Sequence, residues 1–157
     1  TYYAGGLGGA TAMGEAAEGR VKQITEWHSN ISPNRTEKMA TEFKKRYNLD
    51  FYYLRVNTAM YMLAESMKQA KSTDPVAVAR KLEGMKWASD TGDVEMRAAD
   101  HQLINPLYIS TLLKTAAKGG PKDVKYDVEN TGLGFRTDAR IEAYIAAQPT
   151  SCQMKRP

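Results

Sequence analysis

Apolar positions recur at helical spacing three times along the middle of the chain. Met39, Ala40, Phe43 and Tyr47 leave Lys38, Lys44 and Lys45 for water and predict an amphipathic helix lying on a core over about 35–47. Asn34, with Glu37 three residues on, reads as a capping-box-like start for it. After a break at Asn48-Leu49-Asp50, the spacing of Val56, Ala59, Met60, Leu63, Met67 and Ala70 predicts a longer helix from about Tyr52 to Ala70, with that set on its buried stripe. Its methionines read as core filler. Asp74-Pro75 then supplies an N-cap and a favoured first helical residue, Val76, Ala79 and Leu82 form a third stripe, and Gly84 ends the helix.

Strand-like segments bracket these helices. Thr1-Tyr2-Tyr3 reads as a strand running into Gly5-Gly6-Leu7-Gly8-Gly9; an Ala-rich short helix from Ala10 to Glu18, a Gly19 stop and a second strand over Val21–Trp27 then complete one βαβ unit. Later strands are predicted at Val94–Arg97 and Leu107–Leu113, with turns at Ser89–Asp93 and Ala98–His101. Beyond Lys118-Gly119-Gly120-Pro121 the pattern is irregular, with Val124–Val128 a candidate extended stretch and Arg140–Ala147 a candidate short helix. A chain whose first residues already form a strand reads as the back part of a larger α/β protein. Three apolar helix stripes against so few strands predict that a missing N-terminal part supplies further sheet.

Composition narrows the class. Of 157 residues 42% are apolar and 25% charged, and no apolar run approaches the roughly 18 residues of a membrane span. The 22 basic residues are scattered among 18 acidic ones, for a net charge of +4, which argues against a nucleic-acid partner. A chain starting inside a strand would have lost any signal peptide, so its first residues say nothing about compartment. The one cysteine, Cys152, is either a free surface thiol or half of a disulfide whose partner lies in the missing part.

Candidate chemistry is sparse. His28, His101 and Cys152 are the only nitrogen or sulfur ligands, none at ligand spacing from another, so no metal site is expected. His28 reads as a loop or hinge histidine rather than a base. Strand, glycine loop and helix is the arrangement that cradles a pyrophosphate, but from Gly6-Leu7-Gly8 the third glycine would fall on Thr11, and Glu26 does not end a clean second strand. No nucleophile elbow, phosphate-loop lysine or catalytic carboxylate pair is present, and neither catalytic residues nor a cofactor are expected. The loop nevertheless offers backbone N–H groups to a ligand, with glycines that allow close approach; a tight strand-to-helix turn alone would use the same glycines.

The order and spacing of several strings, Tyr2–Gly9 with the following helix and Glu18-Gly19, the helix after Ser32-Pro33-Asn34, the Asp74-Pro75 helix, Thr91-Gly92-Asp93-Val94 and Leu107–Leu113, resemble the C-terminal portion of type I periplasmic solute-binding proteins of the branched-chain amino-acid branch that feeds ABC importers. The resemblance covers essentially the whole chain. It implies an α/β fold of two doubly wound lobes joined by a hinge, with only the C-terminal part of the protein present. Residues 1–27 would belong to the C-terminal lobe, 28–34 to the hinge crossing, 35–105 to the N-terminal lobe, and 106–157 to the return and a tail.

It further implies an extracytoplasmic protein that binds a small organic solute by hinge closure and passes it to an inner-membrane ABC permease. Ligand contacts would come from Tyr3, Gly5, Gly6 and Leu7 at the glycine loop, from Tyr52 and Tyr53 at the start of the long helix on the opposite lobe, and from Trp27, which would either close the cleft or pack on the hinge. Gly5 stands where amino-acid-binding members often carry an acidic residue for the ligand's ammonium, and Asn57-Thr58-Ala59 also departs from the family pattern. The first departure favours an aromatic or keto carboxylate over the matching amino acid. A nucleotide-dependent α/β enzyme and a ligand-sensing domain on the same fold stand as alternatives.

Overall fold

The computed structural model describes residues 2–3, 9–52 and 54–155. Along the chain follow Tyr2–Tyr3 (β1), Gly9–Met13 (α1), Lys22–Thr25 (β2), Glu37–Tyr47 (α2), Leu54–Ala70 (α3), Pro75–Leu82 (α4), Lys86–Ser89 (β3), Gly92–Met96 (β4), Leu103–Ile104 (β5), Leu107–Lys114 (β6), Leu133–Ile141 (β7) and Ala143–Ala146 (α5). The chain forms two compact units, residues 1–52 with 107–141, and residues 53–106 with 142–157.

In the first unit the sheet order is β1-β2-β6-β7, with β1 and β2 parallel and the other pairs antiparallel. The predicted βαβ unit is present. Its helix, expected unbroken to Glu18, is interrupted at Gly14, whose φ of 60° precedes a short 3-10 turn at Glu15–Ala17. Ala17, Val21, Leu112, Leu133 and Phe135 form the core beside it. Between β6 and β7, Ile109 faces Ala139 and Ser110 faces Thr137, so Asp138 is the extra residue of a bulge. Its carboxylate accepts from Lys22 Nζ and Thr111 Oγ1, both at 2.5 Å, tying together β2, β6 and β7.

Strand β7 lies where the sequence reads as irregular and extends through Ile141, so the helix expected over 140–147 is confined to Ala143–Ala146. Arg136-Thr137-Asp138-Ala139-Arg140 carries no apolar alternation; its ladder partner β6, not its own side chains, makes it a strand. The 124–128 stretch is not a strand, although Val124 within it is fully buried.

Residues 35–52, expected with the 53–105 segment, cluster in the first unit. Specific bonds account for this: Tyr126 Oη donates to Glu37 Oε1 at 2.7 Å, and Asp50 Oδ2 accepts the Glu129 N–H at 2.5 Å. Helix α2 buries none of its residues, and Met39 and Tyr47 are exposed. The expected seating on a core reduces to Phe43, whose ring meets Tyr47 at 4.8 Å and Phe51 at 5.2 Å.

In the second unit α3 and α4 pack together beside the antiparallel sheet β3-β4-β5. The buried stripe of α3 is Leu54, Thr58, Met62 and Ser66, while Val56 and Met60, expected inside, are exposed. Both sets obey helical spacing. Ser66 returns its hydroxyl to the Leu63 carbonyl at 2.9 Å. Met62, Met85 and Val94 form the core, with Leu82 and Trp87 packed against it. Asp74 caps α4 as expected, accepting from the Ala77 N–H at 2.9 Å, but Val78 is its buried residue and Val76 is exposed.

Candidate functional site

The segment from the end of β2 to the start of α2 is built from side chains that bind backbone. His28 is buried. Its Nδ1 accepts the Asn30 N–H at 3.3 Å, which leaves the ring proton on Nε2 to be donated to Thr137 Oγ1 at 2.9 Å. Tyr108 stands edge-on to the ring, and burial lowers the imidazole from its ordinary 6.5 to about 4. His28 is a neutral structural histidine.

Asn30 uses its whole amide. Nδ2 donates to the carbonyls of Tyr126 at 2.8 Å and Phe135 at 3.0 Å, and Oδ1 accepts the N–H groups of Lys125 and Tyr126, each at 2.8 Å. Gly134 makes room for this clip, since a Cβ there would lie 2.2 Å from the Tyr126 carbonyl and 3.1 Å from Asn30 Nδ2.

Asn34 does not form the expected capping box. Its Oδ1 accepts from the N–H and hydroxyl of Thr36, at 3.2 and 2.9 Å, and Nδ2 donates to the Ser29 carbonyl at 2.8 Å. Glu37, which a capping box would turn back on Asn34, instead accepts from Tyr126 Oη. Asn34 Oδ1 also accepts the indole N–H of Trp27 at 3.4 Å, so the half-buried Trp27 is tied to this segment.

Tyr52 is half-buried and precedes α3 rather than beginning it. Its hydroxyl lies 3.1 Å from Asp50 Oδ2 and 3.3 Å from Glu129 Oε1. Burial and then the two facing carboxylates push that hydroxyl well above the usual tyrosine range. Asp50 also accepts from Lys44 Nζ. Tyr52 falls in the same compact unit as β1.

Between α2 and the segment carrying Ser29 and Asn34 lies an open pocket of about 80 Å³, lined also by Lys44, Asp50 and Tyr126. It meets the hydrogen-bond partners of both expected aromatic residues, Asn34 for Trp27 and Asp50 for Tyr52, while neither ring lines it. Tyr3 lies in β1, paired with Gln23; Gly5, Gly6, Leu7 and Tyr53 lie outside the described residues. Among the described residues no three His, Cys, Asp or Glu side chains are gathered to hold a metal, and Cys152 is exposed and free. The role of Asn30 escapes sequence reasoning because its partners lie 95 to 105 positions along the chain, and that of Asp50 because its Glu129 partner lies 79 positions away; Asp50 showed only as part of a helix break.

Among known families, the model described as periplasmic binding protein matches residues 2–119. The chain belongs to the periplasmic binding protein family. Solved structures show the same fold. A leucine-, isoleucine-, valine-, threonine- and alanine-binding protein from Brucella ovis, in a closed conformation, is 21% identical, with a TM-score of 0.77 over 94% of this chain. A branched-chain amino-acid ABC transporter periplasmic ligand-binding protein from Burkholderia xenovorans LB400 is 19% identical, with a TM-score of 0.70 over 93% of this chain. An ABC transporter solute-binding protein from Rhodopseudomonas palustris BisB5, in complex with 3,4-dihydroxybenzoic acid, is 18% identical, with a TM-score of 0.66 over 84% of this chain. This periplasmic binding protein chain spans 37%, 37% and 33% of those three structures' lengths. A comparison with curated protein sequences finds no match. No helix among the described residues is long and apolar enough to cross a membrane.

Proposed function

We propose that the chain is part of the solute-binding component of an ABC importer, which captures a small organic acid or amino acid between two lobes by hinge closure and hands it unchanged to an inner-membrane permease. The family match over residues 2–119 carries this reading. Each compact unit would contribute to a different lobe, in an extracytoplasmic protein. Affinity would come from buried apolar surface and a few oriented polar groups.

The solute contacts we assign are Tyr3, Gly5, Gly6 and Leu7 at the glycine loop, with Trp27, Tyr52 and Tyr53 as aromatic walls. A ring with a polar tip suits a half-apolar solute. Since Gly5 offers no carboxylate to an ammonium, the preferred solute is a branched or aromatic carboxylate lacking an amine. The fold neighbours span both chemistries, one named for five amino acids and another holding a dihydroxybenzoic acid. Mass spectrometry of the solute retained by full-length protein, purified without denaturation from cells grown on mixed amino acids and aromatic acids, tests the reading. A stoichiometric small carboxylate supports it, whereas a retained nucleotide overturns it.

A further inference from the structure

His28 holds a backbone N–H with the nitrogen that an acid medium would protonate. The neutral ring accepts at Nδ1 from the Asn30 N–H and donates at Nε2 to Thr137, so both nitrogens are used only while the ring carries one proton. An imidazolium has N–H groups at both positions. Its Nδ1–H would face the Asn30 N–H, donor against donor, in a buried site. Among the described residues, the ring's hydrogen-bond and aromatic contacts carry no countercharge. Tyr108 comes from β6, Phe135 and Thr137 from β7, and Asn30 from the ring's own segment; Tyr108 is the titratable group among these contacts, and none is charged.

We propose that His28 is an acid-operated release for the 28–36 segment: proton uptake at Nδ1 expels the Asn30 N–H and loosens the Asn30 clip on Tyr126 and Phe135. The coupling is short. The N–H that His28 holds belongs to the residue whose side chain makes four bonds to the 124–135 region. Trp27 reports the event, because it precedes His28 and its indole is bonded to Asn34 at the far end of the same segment. The sign follows from the direction of the shift. The folded ring titrates at about 4, below the ordinary 6.5, so the held state is favoured in full above pH 6.5 and loses that advantage as pH falls toward 4. Across that window protonation progressively favours the released state.

The test uses the full-length protein carrying Trp87→Phe, so that Trp27 is the tryptophan of this chain that reports. The expected result is a shift in Trp27 emission below pH 6.5 while far-UV circular dichroism stays at its neutral-pH value, with the step absent in His28→Gln. Nitrogen-15 NMR of the full-length protein, with the His28 signal assigned as the one lost in His28→Gln, supplies a measurement on the unsubstituted ring. There the neutral tautomer should carry its proton on Nε2 and titrate well below 6.5. Titration near 6.5, a proton on Nδ1 in the neutral form, or an emission change that coincides with loss of secondary structure would overturn the proposal.

Discussion

The side-chain amide of Asn30 closes around the backbone of Tyr126, donating through Nδ2 to its carbonyl at 2.8 Å and accepting its N–H through Oδ1 at 2.8 Å. No sequence-local pattern signals this pairing, because the two residues are 96 positions apart. It fastens the 28–36 segment, and through it Trp27, to the 124–128 stretch, and the Asn30 bond to the Phe135 carbonyl carries the tie on to β7.

Removing the amide should therefore cost more than an ordinary half-buried side chain. Asn30→Ala leaves two carbonyls and two N–H groups without their partner, and we expect a loss of at least about 2 kcal/mol in urea unfolding of the full-length protein. Gly134→Ala should cost a similar amount from the other side, since its Cβ would press on the Tyr126 carbonyl and on Val124. Wild-type midpoints in both variants would show the clip to be incidental.

Helix α3 gives two methionines opposite fates. Met62 is 1% exposed in the core with Met85 and Val94, and Met60 is 60% exposed. Met62→Ala should destabilise by about 2–5 kcal/mol, as deletion of a buried side chain does. Thermal and urea unfolding of full-length Met60→Ala tests the exposed face: a change within about 0.5 kcal/mol fits a solvated residue, and a loss as large as that of Met62→Ala would mean that the whole protein buries this face.

The N-cap of α4 is an isolated feature and gives a clean number. Asp74 accepts the Ala77 N–H ahead of Pro75, and Asp74→Ala should cost about 1 kcal/mol, with Asp74→Asn or Asp74→Ser recovering most of it. Equal destabilisation by all three substitutions would contradict the cap.

These elements show what the sequence makes legible. The βαβ unit, the three long helices, the Asp74 cap and strand β6 follow from period, punctuation and cap chemistry, all local signals. The faces do not. On α3 a stripe of Leu54, Thr58, Met62 and Ser66 is inside, although Val56 and Met60 make the more apolar pattern, because both stripes obey helical spacing and Met62's tertiary partners, Met85 and Val94, decide between them. Strand β7 is invisible for a related reason: its ladder with β6 supplies the order that its polar sequence lacks. Asn34 and Glu37 fit a capping box by spacing, yet Asn34 is taken up by Thr36, Ser29 and Trp27, and Glu37 by Tyr126. Of the expected solute contacts, Trp27 and Tyr52 are seen to be anchored in the same unit, by bonds to Asn34 and to Asp50 and Glu129.

Tyr52 separates anchoring from solute contact. Tyr52→Phe removes the hydroxyl that faces Asp50 and Glu129 but keeps the ring, and solute affinity of the full-length protein should change less than about threefold. Tyr52→Ala removes the wall and should weaken binding by roughly 1–3 kcal/mol. Calorimetric affinity and melting temperature, measured together on both variants, decide the matter. A lowered melting temperature with unchanged affinity in Tyr52→Ala would make it a packing residue.

Solute capture without chemistry is the central claim, and isothermal titration of the full-length protein tests it most directly. The panel pairs branched and aromatic amino acids with the matching acids that lack the amine, and the solute is recovered afterwards. The account predicts saturable one-to-one binding of at least one member, tighter for the acid than for its amino acid, with the solute recovered unchanged. No binding across the panel, or recovery of a chemically altered solute, would contradict it.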